Sequence, residues 1–256
     1  MSTSRDTDLA ALSYTGLDRV LAESKGRVVA LLPVGSTEPH GPHLPLATDV
    51  IISVEAARRA ARRLSTRGIA ALVLPAVPYS VTEFGRDFAG ALGLTSETTR
   101  ALVSEICVAA LSRGFAACCL VNSHLEPDHL AALRAAAADA SSRTGRPVLF
   151  PDKTQRRWSA TLTDEFRSGA CHAGRYESSL VMAAEPDLVD EETRRGLPAV
   201  PISIGRKIKE GARTFLEAGG DRAYFGDPAA ATREEGEASY EALASMIETA
   251  VLEGMP

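Results

Sequence analysis

Glu38-Pro39-His40 and His124-Leu125-Glu126 each set a carboxylate two residues from an imidazole, and Asp49 follows 11 residues after Glu38. Imidazole nitrogens and carboxylate oxygens are the donors that zinc and manganese take from proteins. Two imidazoles and three carboxylates suffice for two divalent cations if one carboxylate is shared. Asp49 is the economical bridge, because the other four then divide into two sets of one His and one Glu. Spacing leaves open which His goes with which Glu. A position left open on such a metal holds a water whose pKa falls toward about 7.

A third segment, Cys171-His172-Ala173-Gly174-Arg175-Tyr176-Glu177-Ser178-Ser179, leads into the apolar run Leu180–Ala183. His172 stands just before a glycine and a helix start, a place suited to a general acid or an oxyanion stabiliser. Glu177 is placed to orient it or to help hold metal or solvent. Of the other histidines, His43 is expected to orient a ligand. His129 falls about one turn into a surface helix, outside the constellation. Arg86, Arg175, Arg206 and Lys207 offer contacts for an anionic substrate or, more simply, ordinary surface charge.

Chemistry of this kind needs a rigid edge to converge on. The apolar run Val28–Val34 reads as a buried strand, and Ala70–Pro75, Ala116–Val121 and Val148–Phe150 repeat the pattern. Between them lie helical stretches. One starts at Asp49 with Arg58, Arg59, Arg62 and Arg63 on its outer side. The next runs from Ser96 to Leu111 behind Thr95 as N-cap, and a third from Pro127 to about Ala140. A weak amphipathic helix around Leu17–Leu21 precedes the first strand, and a helix from about Thr232 to Leu252 closes the chain. Continuous apolar strands alternating with helices indicate an α/β protein whose parallel sheet is covered on both faces. In such sheets ligands bind at the carboxyl ends of the strands, where both His/Glu pairs fall. The segments 78–93 and 207–228 read as long loops, which usually serve a site or an interface.

The 256 residues, 45% of them hydrophobic, can bury a sizeable core, and no linker or repeat divides them. A net charge of −5 without a basic block argues against nucleic acid. The four cysteines lack C-x-x-C spacing and read as buried free thiols in a reducing cytoplasm. Met1–Asp6 lacks an apolar targeting core, and no apolar run reaches the roughly 18 residues a membrane helix needs.

On these residues the chain resembles the creatininase family. The resemblance is carried by Leu32–Leu46 with Gly35-Ser36-Thr37-Glu38-Pro39-His40-Gly41-Pro42-His43, by Asp49, by Asn122–Glu126, by His172–Glu177 and by Phe225–Thr232. It covers about residues 28 to 235. It implies a three-layer α/β/α fold with a mostly parallel sheet, as one domain over residues 1–256. It also implies two divalent metal ions per chain, zinc or manganese, with Asp49 bridging. Glu38 and His124 would hold one, and His40 and Glu126 the other. The implied reaction is hydrolysis of a non-standard or cyclic amide C–N bond by a metal-bound hydroxide. His172 would move a proton to the leaving nitrogen, and Glu177 and Glu126 would act beside it. The substrate would be a small-molecule or short-peptide amide, and the assembly a homohexamer.

Some positions depart from the pattern. Leu125 stands where creatininase places a tyrosine beside its substrate, Ala91 replaces a threonine, and Trp158 is the single tryptophan. These changes move the expectation from creatinine toward a formamide or a peptide, as in maturation of a peptide-derived cofactor of the mycofactocin type. A non-catalytic metal-binding scaffold is the alternative of a different class. No phosphate-binding glycine loop supports a nucleotide binder.

Overall fold

In a computed structural model that describes residues 7–255, helix α1 (Tyr14–Glu23) leads into strand β1 (Val28–Val34), which is buried along its whole length. The stretch Met1–Asp6, read above for targeting signals, lies outside the described residues. From β1 the chain passes through α2 (Thr48–Thr66) to β2 (Ala70–Val73). It then crosses back through α3 (Ser96–Ser112) to β3 (Ala117–Asn122) on the far side of β1. Helix α4 (Pro127–Thr144) leads to the short edge strand β4 (Val148–Leu149). The sheet order is β2-β1-β3-β4 and every pairing is parallel. The chain leaves β1 in one direction and returns on the other, so a crevice opens between β1 and β3 at their carboxyl ends. Val34 pairs with Asn122, so both strands end level at that crevice.

Successive side chains of a strand face opposite ways, and here each face has its own core. Val29, Leu31, Cys119 and Val121 pack with residues of α2, α7 (Arg175–Ala184) and the closing helix, among them Ile52, Leu180 and Leu243. Val28, Ala30, Leu32, Cys118 and Leu120 pack with Val103, Leu111 and Leu133 of α3 and α4. The result is the three-layer α/β/α arrangement. Cys118 and Cys119 fall in opposite cores, and all four cysteines are free.

After β4 the chain is a series of short helices: α5 (Arg156–Ser159), α6 (Asp164–Ser168), α7, α8 (Glu191–Arg195), α9 (Ile204–Lys209) and α10 (Phe215–Ala218), before α11 (Arg233–Gly254). The segment 207–228, expected as long loops, holds the end of α9 and all of α10. Helices of 6 and 4 residues are too short to show a hydrophobic period. The arginines of α2 belong to an ion-pair seam: Arg59 reaches Glu55 and Glu237, while Arg63 and Arg67 share Glu248. No described helix is long and apolar enough to cross a membrane.

Helix α7 meets α11 so closely that a Cβ on Gly236 would lie 1.9 Å from the Ser179 carbonyl oxygen. Gly236→Ala is therefore expected to lower stability by about 1–3 kcal/mol, the range for an overpacked contact. An unchanged denaturation midpoint in urea would contradict this backbone approach.

Candidate metal centre

The loop after β1 carries Glu38 and His40, and the first turn of α2 carries Asp49. Gly35 lets the two meet: a Cβ there would stand 2.8 Å from both Asp49 Cβ and the Val50 nitrogen. His40 Nε2 lies 3.6 Å from Asp49 Oδ1, 3.7 Å from Glu177 Oε2 and 3.8 Å from Glu38 Oε1. From the end of β3, His124 Nδ1 lies 3.0 Å from Glu38 Oε1 and 3.2 Å from Asp49 Oδ2. Asp49 thus turns one oxygen to each histidine.

Backbone carbonyls set which nitrogen each ring presents. His40 Nδ1–H donates to the Glu38 carbonyl at 3.1 Å, and His124 Nε2–H donates to the Val81 carbonyl at 2.8 Å. The nitrogens left over, His40 Nε2 and His124 Nδ1, both face carboxylates. A lone pair against a carboxylate oxygen is repulsive unless a proton or a metal cation stands between them. Without a metal the cluster recruits protons. Burial alone would lower the pKa of His40, but Asp49, Glu177 and Glu38 override it and hold it at about 9. Burial opposes the same shift in His124, which Glu38 and Asp49 also raise well above its ordinary value.

The carboxylates are held in place from behind. Thr82 Oγ1 donates to Glu38 Oε2 at 2.5 Å. Glu177 Oε2 accepts the Ala173 N–H at 2.7 Å, and burial pushes its carboxyl up to about 7 against the pull of His40. Glu126 accepts the backbone N–H groups of Glu83 and Phe84 at 2.9 and 3.3 Å. Donor atoms within 4.8 Å of one another form the sets His40–Asp49–Glu177, Glu38–His124–Glu126 and Glu38–His40–His172. None of these sets joins His40 to Glu126, the pairing that the resemblance implies. The two amides hold Glu126 on the His124 side, and Glu177 stands beside His40.

His172 reaches the cluster from the loop before α7. Its Nε2–H donates to the Pro39 carbonyl at 3.0 Å, and its ring lies 4.5 Å from that of His40. Burial, with His40 behind it, holds its pKa at about 4. Glu165 anchors this loop, accepting the N–H groups of Tyr176 and Asp227 at 2.8 Å each. His43 Nε2 bonds Ser178 Oγ at 2.8 Å, so it holds α7 rather than a ligand directly. His129 is not on a surface helix face. It is fully buried, edge-on to His124 at 4.7 Å, with Nε2 on Asn122 Oδ1 at 2.8 Å. The four cations proposed for anion contacts have protein partners: Arg86 meets Glu83, Arg175 meets Asp164 and Glu235, and Arg206 and Lys207 meet Glu210.

A cavity of about 60 Å³ opens on the cluster. Glu38, Asp49, His124, Glu126 and Glu177 form its floor, with His172 at the side. Phe84, Leu125, Ile204, Ile208 and Phe215 form apolar walls. Thr82, Glu165 and Phe215 carried no sequence signal beyond lying in or near irregular segments.

A family model for creatininase, described as creatinine amidohydrolase, matches residues 16–251. The mycofactocin precursor peptide peptidase of Mycobacterium ulcerans (strain Agy99) is 30% identical over 217 residues, which cover 80% of this chain and 77% of that protein. The creatinine amidohydrolase of Pseudomonas putida is 28% identical over 180 residues, 64% of this chain and 67% of that protein. The solved structure "Creatininase Mn" shares the fold with a TM-score of 0.73 at 24% identity, over 98% of this chain and 99% of its own. With its sheet, its crevice and nearly its whole length accounted for, the chain belongs to the creatininase family of amidohydrolases.

Proposed function

We propose that the protein holds two divalent cations, zinc or manganese, and hydrolyses an amide C–N bond in a peptide or peptide-like substrate. The observation that carries this reading is the buried cluster itself, in which His40 Nε2 and Asp49 Oδ2 have no hydrogen-bond partner among the described residues. Nitrogen and carboxylate donors of this kind suit both metals. Asp49 would be shared, with His40 and Glu177 completing one set and His124 and Glu38 the other, Glu126 standing beside the second. When bound, the cations would polarise the amide carbonyl and activate a water for attack.

The protein's own groups do the rest. His172 has its Nε2–H committed to Pro39 and is neutral at pH 7, so its lone pair is on Nδ1. We assign it as a base that takes the proton of the attacking water and then, as an acid, returns it to the departing nitrogen. Thr82 and the Glu83 and Phe84 amides keep Glu38 and Glu126 oriented. The apolar walls favour a peptide over a small polar ring. A charged substituent pressed against Phe84, Leu125 and Ile208 would lose its hydration without a partner. The peptidase name of the Mycobacterium ulcerans relative supports the same choice. Four free thiols suit a reducing compartment, so we place the protein in the cytoplasm, and family membership supports a homohexamer.

Elemental analysis tests the centre. The native chain, reconstituted with zinc or manganese, should hold about two ions, Asp49→Ala should lose both, and Glu177→Ala should lose more than Glu126→Ala. A native protein that takes up no metal would end the reading. His172→Ala should keep its metal yet turn over peptide amides about 10²–10⁴-fold more slowly, the span for a lost proton carrier. In the same assay, peptides with apolar residues flanking the scissile bond should outpace those with Lys or Glu there. Undiminished turnover in His172→Ala would remove that residue from the chemistry.

A further inference from the structure

Phe215, the first residue of α10 and one of the cavity's apolar walls, also covers one face of His172. The two rings stack with centroids 4.2 Å apart and planes 29° from parallel. The His40 ring is a second neighbour, at 4.5 Å between centroids and 35° between planes. Within its own plane the His172 imidazole is pinned by the Pro39 carbonyl, and its backbone carbonyl accepts the Phe225 N–H at 2.7 Å. A ring flanked by two other rings and held at one nitrogen keeps a single orientation. Removing Phe215 would free the face it covers, while the motif residues around His172 stayed in place.

Phe215 is itself immobilised. It is buried, with Phe84 at 6.2 Å and Phe225 at 6.0 Å around its ring, and its N–H donates to the Phe84 carbonyl at 2.9 Å. The Phe84 N–H in turn donates to Glu126. One aromatic group therefore links α10 to the imidazole and to the loop that orients a carboxylate of the cluster. Small errors in the placement of a proton carrier are costly, since about 1 Å can lose about 10²-fold in rate.

We propose that Phe215 is the positioning residue of His172, holding the imidazole between its own ring and that of His40 so that the proton-carrying nitrogen meets the reacting amide. This rests on the proton-carrier role given to His172 above.

The test uses the zinc-reconstituted full chain, the best peptide amide of the panel described, and the variants Phe215→Leu and Phe215→Tyr. Leucine keeps an apolar filling but offers no flat face, whereas tyrosine keeps the face. Phe215→Leu should retain its zinc and lose about 10–100-fold in kcat with KM near the native value. Phe215→Tyr should recover most of that loss. Independently of turnover, NMR of the zinc-loaded protein should show the His172 ring protons shifted upfield in the native chain and in Phe215→Tyr, and moved downfield in Phe215→Leu. The proposal is overturned if Phe215→Leu keeps the native kcat, if tyrosine fails to rescue, or if the His172 resonances do not move. If His172→Ala is fully active, the underlying role falls. If His172→Ala is inactive and Phe215→Leu is fully active, only the positioning falls.

Discussion

Glu38, Asp49, Glu126 and Glu177 lie together at 8% exposure or less, beside two imidazoles that turn lone pairs toward them. Carboxylates taken out of water repel one another strongly, and burial penalises each one separately. The surroundings read as restraints on that repulsion. A threonine hydroxyl, three backbone amides and two backbone carbonyls fix the orientation of individual groups. The sheet supplies a rigid edge, and α2 is fastened to α11 by arginines that bridge to glutamates. A cluster of this kind is satisfied by cations, and the fold keeps it dry and close enough to need them.

The sheet and the cluster were legible because they rest on strong local patterns. Val28–Val34 has no polar residue, so its burial on both faces follows from its composition, and Glu38, His40, His124 and Glu126 follow strand ends directly. Asp49 was readable because it opens a long amphipathic helix. The walls were not legible. Ile204, Ile208 and Phe215 sit on helices of 6 and 4 residues, where no period can form. His129 was misplaced because α4 is so rich in alanine that its buried side hardly differs from its exposed one. Its hydrogen-bond partner, Asn122, is the last residue of β3. The places of Glu177 beside His40 and of Glu126 beside His124 are likewise tertiary, and Glu126 is held by amides of Glu83 and Phe84 that no spacing rule reaches.

Floor and walls come from different parts of the chain. The floor is built from the ends of β1 and β3 and the starts of α2 and α7, and the walls largely from the segments around Phe84 and residues 204–215. Relatives at 28–30% identity carry names as different as creatinine amidohydrolase and mycofactocin precursor peptide peptidase. A scaffold divided in this way allows the substrate to change while the hydrolytic floor is kept.

The dispersal of the floor along the sequence also bears on how the molecule is made. Glu38 emerges well before Glu177 in synthesis, and between them lie strands β2, β3 and β4. A chain that stops before Glu177 cannot present the complete set, and contacts of such long range are slow to close. Complete ion capture would therefore wait until the chain has passed Glu177 and the sheet has ordered. A truncated or misfolded copy would release its ions to the surroundings, and loading with metal would serve as a readout of completed folding.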